Sequence, residues 1–426
     1  MIVDFTLSNF RSIRKKQTFS FFAESSSNHL ADNIAKPGDG KIAIHRTAGV
    51  YGANASGKSN LLMAFNALKY IVCSSGDLKD GEKIPCYEPY LLSDSSKNSP
   101  VEFEIEFFSK NNKRYLYSVS FSSKRIISES LDYYPSRSKA NIFRREEGDS
   151  WEDVSFGGHY TGGKKKFAFF DNNSYISKAG NSADAPELIR SIFNHFRKNI
   201  LLLGVNQRVS NSSWREDLDI VRTVSSILSK VDTGITDISF KETDISNINF
   251  GFPDDMPDSL KKQIIDSETF RPVFSHRGKG DIRVEFTEEM ESSGTIKLFN
   301  MFPVLINALK NGSTILMDEL DNSFHPHIAE LIIKLFNDPN INKHNAQLIF
   351  STHNVNLMSP ELLRRDQIWL TEKKHGETSF YSLEEFDKKS VKIDSPFSKW
   401  YSEGRFDAIP SIDIGAISEQ IIKMVS

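Results

Sequence analysis

The chain has 426 residues and a formal net charge of −3, with 38% hydrophobic and 26% charged residues. This length allows one large α/β core with an inserted subdomain, and the small negative charge argues against a protein that coats nucleic acid by bulk electrostatics. Its two cysteines, Cys73 and Cys86, form no C-x-x-C pair, which disfavours a disulfide framework and a zinc site.

The first residues predict a strand rather than a targeting segment. Residues 1–4 lack a basic stretch followed by an apolar one, and no apolar run in the chain approaches the length of a membrane span. We therefore expect a protein of the bacterial cytoplasm that makes no contact with a membrane. Residues 5–13 continue the opening strand and include Arg11.

A phosphate-binding pattern follows the opening strand. Residues 52–59 read Gly-Ala-Asn-Ala-Ser-Gly-Lys-Ser and match G-x-x-x-x-G-K-[ST], the Walker A pattern. The buried-strand run 47–51 precedes them, and apolar residues at helical spacing follow in 60–68. Glycines let backbone N–H groups converge on one anion at a helix N-terminus. Lys58 is expected to reach the β- and γ-phosphates, and Ser59 to bind Mg²⁺. The residues expected to hold the nucleotide here are Asn54, Gly57, Lys58, Ser59 and Asn60.

The next region predicts antiparallel structure. Residues 101–107 and 115–119 alternate apolar and polar residues, which indicates a sheet with one face in water. Further on, three lysines at 164–166 lie between Gly162-Gly163 and the apolar run 167–170, which predicts a hairpin turn leading into a strand. A solvated turn is the ordinary interpretation of these lysines, and contact with phosphate is the alternative.

Residues 186–280 have a helical and then a polar pattern. We interpret them as a mainly helical inserted subdomain between one ATPase lobe at residues 1–185 and a second at 281–426. Sustained heptads are absent, so the insert is not expected to form a long coiled coil or to tether distant DNA.

A second phosphate-site pattern lies in residues 314–319, Thr-Ile-Leu-Met-Asp-Glu. An apolar run that leads into two carboxylates describes a parallel strand, buried on both faces, whose carboxyl end opens into a site. In such a Walker B strand, Asp318 is expected to hold Mg²⁺ and Glu319 to be the general base that accepts a proton from the attacking water.

Three further segments resemble motifs of ABC-type ATPases. Residues 291–295 begin an amphipathic run, with Ser292 or Ser293 as the N-cap, and resemble the signature motif. Residues 347–353 form an apolar run ending in Ser-Thr-His, which resembles the switch-histidine strand. The resemblance implies that His353 is catalytic and that Asp321, after Glu319, belongs to the loop at a dimer interface. The resemblance also implies that the signature residues Ser292, Ser293 and Gly294 contact nucleotide.

The chain as a whole resembles the RecF and SMC-like branch of these ATPases. The opening segment 5–13 looks like the L-x-N-F-R-S beginning of that branch, which implies that Arg11 lies near the nucleotide; the alternative is an exposed arginine in a strand turn. With residues 318–326 and the late segment 401–410, the chain is similar to the RloA/AbiL-type abortive-infection ATPases, to which the ATPase of the PARIS phage-defence system is related.

One feature departs from the ABC-type pattern. These ATPases usually place a glutamine that senses Mg²⁺ and the γ-phosphate between Walker A and signature, yet no glutamine occurs between Ser59 and Gln207. One explanation is that another polar residue, in the region Ser93 to Glu106, replaces this glutamine. The other is that the nucleotide is coupled to the rest of the protein in a different way.

The resemblance implies an α/β P-loop NTPase fold of ABC-ATPase head type, with a mixed central sheet, an antiparallel β lobe and the inserted subdomain. In ABC-type geometry the signature meets the γ-phosphate of a second copy, so we predict a head-to-tail homodimer, or a higher homo-oligomer, that encloses two ATP molecules with Mg²⁺. Lys58, Ser59, Asp318 and Glu319 then act within one chain, and the signature acts on its partner's nucleotide. No guanine-reading Asn-Lys-x-Asp segment appears, which favours ATP.

Three functions follow from this resemblance. The first is a sensor or scaffold that holds a separate toxic effector, such as a Toprim-type nuclease, in anti-phage defence. The second is a RecF-like DNA-repair ATPase that clamps DNA directly. The third, an OLD-type nuclease, is disfavoured because residues 354–426 are too few for a complete Toprim domain.

Overall fold

A computed structural model describes residues 1–24, 28–204, 210–231, 233–246, 250–253, 256–322, 325–409 and 413–425. The strands are β1 (Ile2–Ser8), β2 (Gln17–Ser20), β3 (Ile34–Ala35), β4 (Ile44–His45), β5 (Thr47–Gly52), β6 (Val101–Phe108), β7 (Arg114–Phe121), β8 (Ile126–Tyr133), β9 (Ala140–Arg145), β10 (Ser155–Phe156), β11 (Ile200–Leu203), β12 (Ile235–Glu242), β13 (Phe270–Arg277), β14 (Arg283–Phe286), β15 (Thr314–Met317), β16 (Gln347–Ser351), β17 (Ile368–Lys374) and β18 (Glu377–Ser382). The helices are α1 (Lys58–Cys73), α2 (Tyr175–Gly180), α3 (Glu187–Asn199), α4 (Leu218–Leu228), α5 (Asp258–Thr269), α6 (Ser293–Asn311), α7 (Pro326–Asn337), α8 (Phe397–Ser402) and α9 (Ile414–Val425).

The central sheet has the strand order β11-β15-β16-β5-β17-β18. Its strands are parallel from β11 to β17, and β18 returns antiparallel to β17. Every residue of β5, β15 and β16 is buried, as the apolar runs predict for a sheet covered on both faces. Parallel strands end at the same edge, so β5, β15 and β16 present their following residues together.

Alternate residues of these strands enter two separate hydrophobic cores. On β16, Ile349 packs into one core, whereas Leu348 and Phe350 pack into the other. The first core contains α1, α3 and the inner face of the antiparallel sheet, and Phe5 of β1 packs on Phe65 of α1 with ring centroids 4.1 Å apart. The second core contains α4, α6 and α7. The central sheet is therefore a middle layer.

The β lobe is an antiparallel sheet with the order β10-β9-β8-β7-β6-β1-β2. Its β6–β7 pairing confirms the prediction made from the alternation in residues 101–107 and 115–119. The strand predicted after the three lysines is absent, because residues 167–170 have no sheet partner. Other contacts hold this segment instead: Lys164 N donates to Asp184 O at 2.8 Å, and the Tyr160 hydroxyl donates to Lys164 O at 3.0 Å.

The region expected to form a helical insert is divided differently. Helix α3 packs on α1, and β11 pairs in parallel with β15, so both belong to the ATPase core rather than to an insert. Beyond them, β12, β13 and β14 form an antiparallel sheet that crosses the expected boundary at residue 280. Helices α3, α4 and α5 still account for most of the regular structure in residues 186–280, and the strands β12 and β13 are an addition that their many polar residues obscured in the sequence.

The architecture is α/β, with a mixed central sheet, an antiparallel β lobe and a phosphate-loop pattern between β5 and α1. In the described part of the chain, the length and apolar character needed to cross a membrane are found in no helix.

Candidate nucleotide-binding site

The phosphate loop, residues 52–59, joins the end of β5 to the start of α1. Gly57 has a φ of 113°, and a Cβ there would lie 2.4 Å from Thr378 Oγ1, so a larger residue fits neither the backbone nor the space. Behind the loop, Thr378 Oγ1 donates to Ser56 O at 2.8 Å, and Ser56 Oγ lies 2.5 Å from Thr371 Oγ1. The β17–β18 hairpin thus fixes the loop's shape from behind.

Lys58 is buried at the first turn of α1. Its ammonium donates to Gly52 O at 2.9 Å and to Ala53 O at 3.0 Å, which are carbonyls of the loop itself. Burial lowers the pKa of Lys58, and the nearby carboxylates of Asp318 and Glu319 partly oppose that change. Carbonyl oxygens carry only partial charge, so the ammonium keeps its attraction for an anion such as phosphate.

Ser59 and Asp318 meet across the carboxyl edge of the central sheet. Ser59 Oγ donates to Asp318 Oδ1 at 3.1 Å, and Ser351 Oγ donates to the same oxygen at 2.5 Å. Mg²⁺ takes hard oxygen ligands and usually keeps several waters, so it needs few protein ligands in a phosphate site. The hydroxyl of Ser59 and the carboxylate of Asp318 fit that requirement.

Glu319 has a left-handed backbone, with φ of 52°, which is costly for a residue with a side chain. Its N–H donates to Ser351 Oγ at 2.8 Å, and its Oε2 accepts from Asn322 Nδ2 at 3.1 Å. Lys297 Nζ in turn donates to Asn322 O at 2.6 Å, and burial lowers the pKa of Lys297. These contacts hold the Glu319 carboxylate in one orientation beside the phosphate loop.

A cavity of about 410 Å³ collects most of the predicted site residues. Its lining comprises Asn54, Ala55, Gly57, Lys58, Ser59, Asn60, Asp318, Glu319, His353 and Lys373. His353 is exposed two residues after the end of β16 and lines the cavity. Segments far apart in sequence therefore provide an ammonium, a hydroxyl, carboxylates and an imidazole at one site.

The signature residues lie outside this cavity. Ser292 caps α6, because its Oγ accepts from Thr295 N at 3.1 Å, and Ser292 and Ser293 are exposed at the helix N-terminus. None of Ser292, Ser293 and Gly294 lines the cavity of its own chain. Free N–H groups at the start of a 19-residue helix form a favourable position for an anion.

Asp321 and Arg11 also lie outside the lining. The Asp321 carboxylate accepts from the Thr352 hydroxyl and from His353 N at 3.3 Å, so it holds the backbone at His353. Arg11 donates to Glu88 at 2.6 Å and to Asn60 Oδ1 at 3.4 Å. Arg11 therefore contacts a lining residue without lining the cavity itself.

The suggested replacement for the missing glutamine does not reach the site. No residue of the segment 93–106 lines the cavity, and that segment leads into β6 of the β lobe. By contrast, Leu203 at the end of β11 accepts a hydrogen bond from Asp318 N at 3.2 Å. Gln207 follows four positions later in the sequence, outside the described residues.

Sequence reasoning missed two contributors to the site. Ser351 supports both Asp318 and Glu319, and the parallel register that pairs Met317 with Phe350 could have indicated it, since Asp318 and Ser351 are the next residues. Lys373 lines the cavity from the β17–β18 hairpin, and no motif marks it. Only the pairing of β17 with β5 brings Lys373 to the phosphate loop.

The tail segment, residues 401–409, contacts the phosphate loop from the other side. Ala53 N donates to Ala408 O at 3.2 Å, and the Tyr401 hydroxyl donates to the same carbonyl at 2.9 Å. The Tyr381 hydroxyl donates to Phe406 O at 2.6 Å. Residues 401–409, which resemble the late segment of the abortive-infection ATPases, thus contact the phosphate loop.

Several solved structures are similar at low sequence identity. The SMC head domain from Thermotoga maritima has a TM-score of 0.40 and 14% identity, covering 89% of this chain and 98% of that chain. The Smc head domain with an extended coiled coil, bound to the C-terminal domain of ScpA from Pyrococcus furiosus, has a TM-score of 0.41 and 13% identity, covering 95% and 99%. The recombination mediator protein RecF has a TM-score of 0.32 and 10% identity, covering 83% and 92%. No curated protein matches the chain.

One family model matches residues 48–359, which extend from β5 past β16 and include the phosphate loop, Asp318, Glu319 and His353. The description of that family is "AAA domain, putative AbiEii toxin, Type IV TA system". This match spans most of the chain and all of the cavity-forming motifs except the β17–β18 hairpin. The chain therefore belongs to this AAA-domain family, AAA_21.

Proposed function

We propose that the protein is an ABC-type ATPase that binds and hydrolyses ATP in a head-to-tail homodimer. The observation that carries this proposal is the division of the site: Lys58, Ser59 and the acidic pair line one cavity, whereas the signature N-terminus is exposed elsewhere on the chain. A second copy can bring its signature to this cavity, and the symmetric arrangement then closes two sites at once.

Each residue has a role in this proposal. Lys58 neutralises charge on the β- and γ-phosphates, and Ser59 and Asp318 hold Mg²⁺, which when bound stabilises negative charge on the phosphate oxygens. Glu319 accepts the proton of the attacking water, and His353 contacts the γ-phosphate region. Ser292, Ser293 and Gly294 of the partner copy contribute hydroxyl and N–H donors to the same phosphate.

The dimer is tested with Glu319→Gln, which keeps the size of the side chain but removes the base. We expect this variant to bind ATP, to hydrolyse it extremely slowly and to run as a dimer on size-exclusion chromatography with light scattering. A Glu319→Gln/Lys58→Ala double variant is the matched control and stays monomeric, because it cannot hold the phosphates. A Glu319→Gln chain that stays monomeric at saturating ATP contradicts the sandwich.

We further propose that the clamp controls a separate toxic effector in bacterial anti-phage defence. Support comes from the family description, which names a toxin–antitoxin system, and from the resemblance of the late segment to abortive-infection ATPases. The test is affinity purification of the tagged chain expressed with its neighbouring genes, with and without ATP. Stable retention of a neighbouring gene product supports the proposal.

The RecF-like alternative predicts a different result in ATPase and affinity-purification experiments. A protein that clamps DNA directly hydrolyses ATP faster when duplex DNA is added and needs no protein partner. Strong stimulation by DNA, together with no retained partner, would replace the effector proposal with the DNA-clamp function. A preference for GTP in a nucleotide-competition assay would instead overturn the assignment of ATP.

A further inference from the structure

A second large concave surface lies on the β lobe, away from the residues of the phosphate loop. This basic groove has a volume of about 1000 Å³ and lies between the β6–β7 turn, the loop 161–163 and the exposed face of α3. Arg190, Asn194 and Lys198 follow one another at single-turn spacing on that face of α3. The groove therefore has a rigid helical wall.

Cations from separate elements converge on this groove. Lys110 and Lys113 come from the β6–β7 turn, and Arg190 and Lys198 come from α3. Lys110, Arg190 and Lys198 form no ion pair with any described residue. The carboxylates in the lining are Asp184 and Glu187, fewer than the cations. The local field is positive although the whole chain has a net charge of −3.

The groove also contains one buried polar atom without a hydrogen-bond partner among the described residues. His195 lines it, is only 7% exposed, and its Nδ1 has no hydrogen-bond partner among the described residues. Its ring is stacked on Phe107 with centroids 4.9 Å apart, so it is held in place. Gly162 also lines the groove, and a Cβ there would meet no atom within 4 Å, so the space beside its backbone is open. A ligand can therefore approach the main chain closely at this position.

We propose that this basic groove binds a phosphate-bearing small ligand, such as a free polyphosphate or a nucleotide, separately from the ATP site. Several fixed donors around one concavity suit a compact anion with many acceptor oxygens. The three lysines at 164–166 extend the positive surface beside the loop 161–163, where all of them are exposed. An extended nucleic-acid backbone offers the same phosphate chemistry, so the experiment separates the two sources.

The test measures binding of inorganic tripolyphosphate by calorimetry. Wild-type protein is expected to bind two molecules per chain, and Lys58→Ala to bind one, because only the phosphate loop is disabled. In the Lys58→Ala background, adding Lys110→Ala, Arg190→Ala and Lys198→Ala is expected to weaken the remaining binding by at least about tenfold, since each charge-assisted hydrogen bond is worth roughly that factor. Lys36→Ala with Lys83→Ala and Lys124→Ala is the matched control, because it also removes three exposed cations and all three lie outside the groove.

Other results would contradict either the groove proposal or the assignment of the phosphate loop. Loss of all tripolyphosphate binding in Lys58→Ala overturns the groove proposal while leaving the phosphate loop assignment intact. Unchanged stoichiometry in Lys58→Ala contradicts the phosphate loop assignment instead, and the groove variants still test the second site. If a DNA duplex of about 30 base pairs binds through the groove cations while tripolyphosphate does not, the small-ligand proposal is wrong and the groove is a nucleic-acid surface. An equal loss in the control variant shows nonspecific charge attraction and also overturns it.

Discussion

At the scale of single residues, Ser351 links the proposed metal-binding and catalytic positions, Asp318 and Glu319. One hydroxyl donates to Asp318 Oδ1 and accepts from the Glu319 N–H, which places both acidic residues relative to Ser59. Because Glu319 has a left-handed backbone, this hydrogen bond also stabilises a conformation that the residue would otherwise avoid. Ser351 is thus a positioning residue rather than a catalytic one.

Replacing Ser351 with alanine tests this role. We expect kcat for ATP hydrolysis to fall by roughly tenfold and the Mg²⁺ concentration for half-maximal rate to rise severalfold, because both acidic residues lose a support. Initial rates measured across a Mg²⁺ titration check both effects. An alanine variant with the wild-type rate and the wild-type Mg²⁺ requirement would show that the hydrogen bonds seen here have no part in positioning.

His195 is expected to make the free energy of unfolding depend on pH. Burial, together with the smaller effects of the neighbouring Met1 amino group and Lys110, lowers the pKa of His195 from an ordinary 6.5 to about 3. A group whose pKa falls on folding takes up protons mainly in the unfolded chain. Its neutral form therefore supports the fold fully above about pH 6.5, and the support is lost as pH falls towards 3.

For His195 the expected cost between pH 7 and pH 5 is about 2 kcal/mol of unfolding free energy. His195→Phe retains an aromatic ring against Phe107 but removes the titrating group. Urea unfolding at both pH values should therefore show a smaller acid-induced loss in the variant than in the wild type. Equal losses would mean that His195 does not titrate as its burial requires.

At the scale of elements, the strand-to-loop-to-helix unit was predictable because its chemistry is local. Gly57 and Lys58 must be adjacent for a backbone cradle at a helix N-terminus, and such spacing is visible in sequence. The Ser292 N-cap and the apolar strands before Asp318 and Ser351 follow from equally local patterns. These elements appear in the structure where the sequence predicts them.

Other elements depended on pairing between distant segments. Residues 200–203, Ile-Leu-Leu-Leu, are a short apolar run that fits a buried helix as well as a strand, and only their alignment with β15 places them in the central sheet. Residues 167–170 have the composition of a strand, yet they pack through Phe167 without joining a sheet. The neighbouring strand β15 determines the structure of residues 200–203. Burial of Phe167 determines that of residues 167–170. Neither determinant is contained in the short segment itself.

The tail segment is the element whose role is tested most simply. Tyr401→Phe removes one hydrogen bond to Ala408 O and leaves the buried ring in place, so we expect unfolding free energy to fall by about 1 kcal/mol. The Ala53 amide should also exchange hydrogen faster, because its acceptor is less firmly held. Hydrogen exchange followed by mass spectrometry measures this in the peptide that contains the phosphate loop.

Ser402→Ala is the matched control, since its hydroxyl donates to Ser398 O within the exposed part of α8. That change should leave exchange in the phosphate loop at the wild-type rate. If Tyr401→Phe and Ser402→Ala behave alike at Ala53, the tail does not stabilise the loop. The contact between Ala53 and Ala408 would then be independent of the tyrosine.

At the scale of the whole molecule, the proposed function assigns two groups of residues to one ATP site, and within one chain only the first group lines the cavity. Lys58, Asp318 and Glu319 surround a cavity, while Ser293 is exposed at the N-terminus of α6. A phosphate bound in this cavity would therefore not meet the N–H and hydroxyl donors of the chain's own residues 292–294. In the proposed dimer, ATP contributes the group that joins the two copies, and hydrolysis removes it.

The most direct test of this account mixes two inactive chains. Lys58→Ala lacks a working phosphate loop but keeps its signature, and Ser293→Arg keeps its phosphate loop but has a blocked signature. We predict that each variant alone hydrolyses ATP at a small fraction of the wild-type rate, and that an equal mixture recovers up to about a quarter of it, because half of the dimers then contain one complete site. Full activity of Ser293→Arg alone, or no recovery in the mixture, would contradict a site shared between copies.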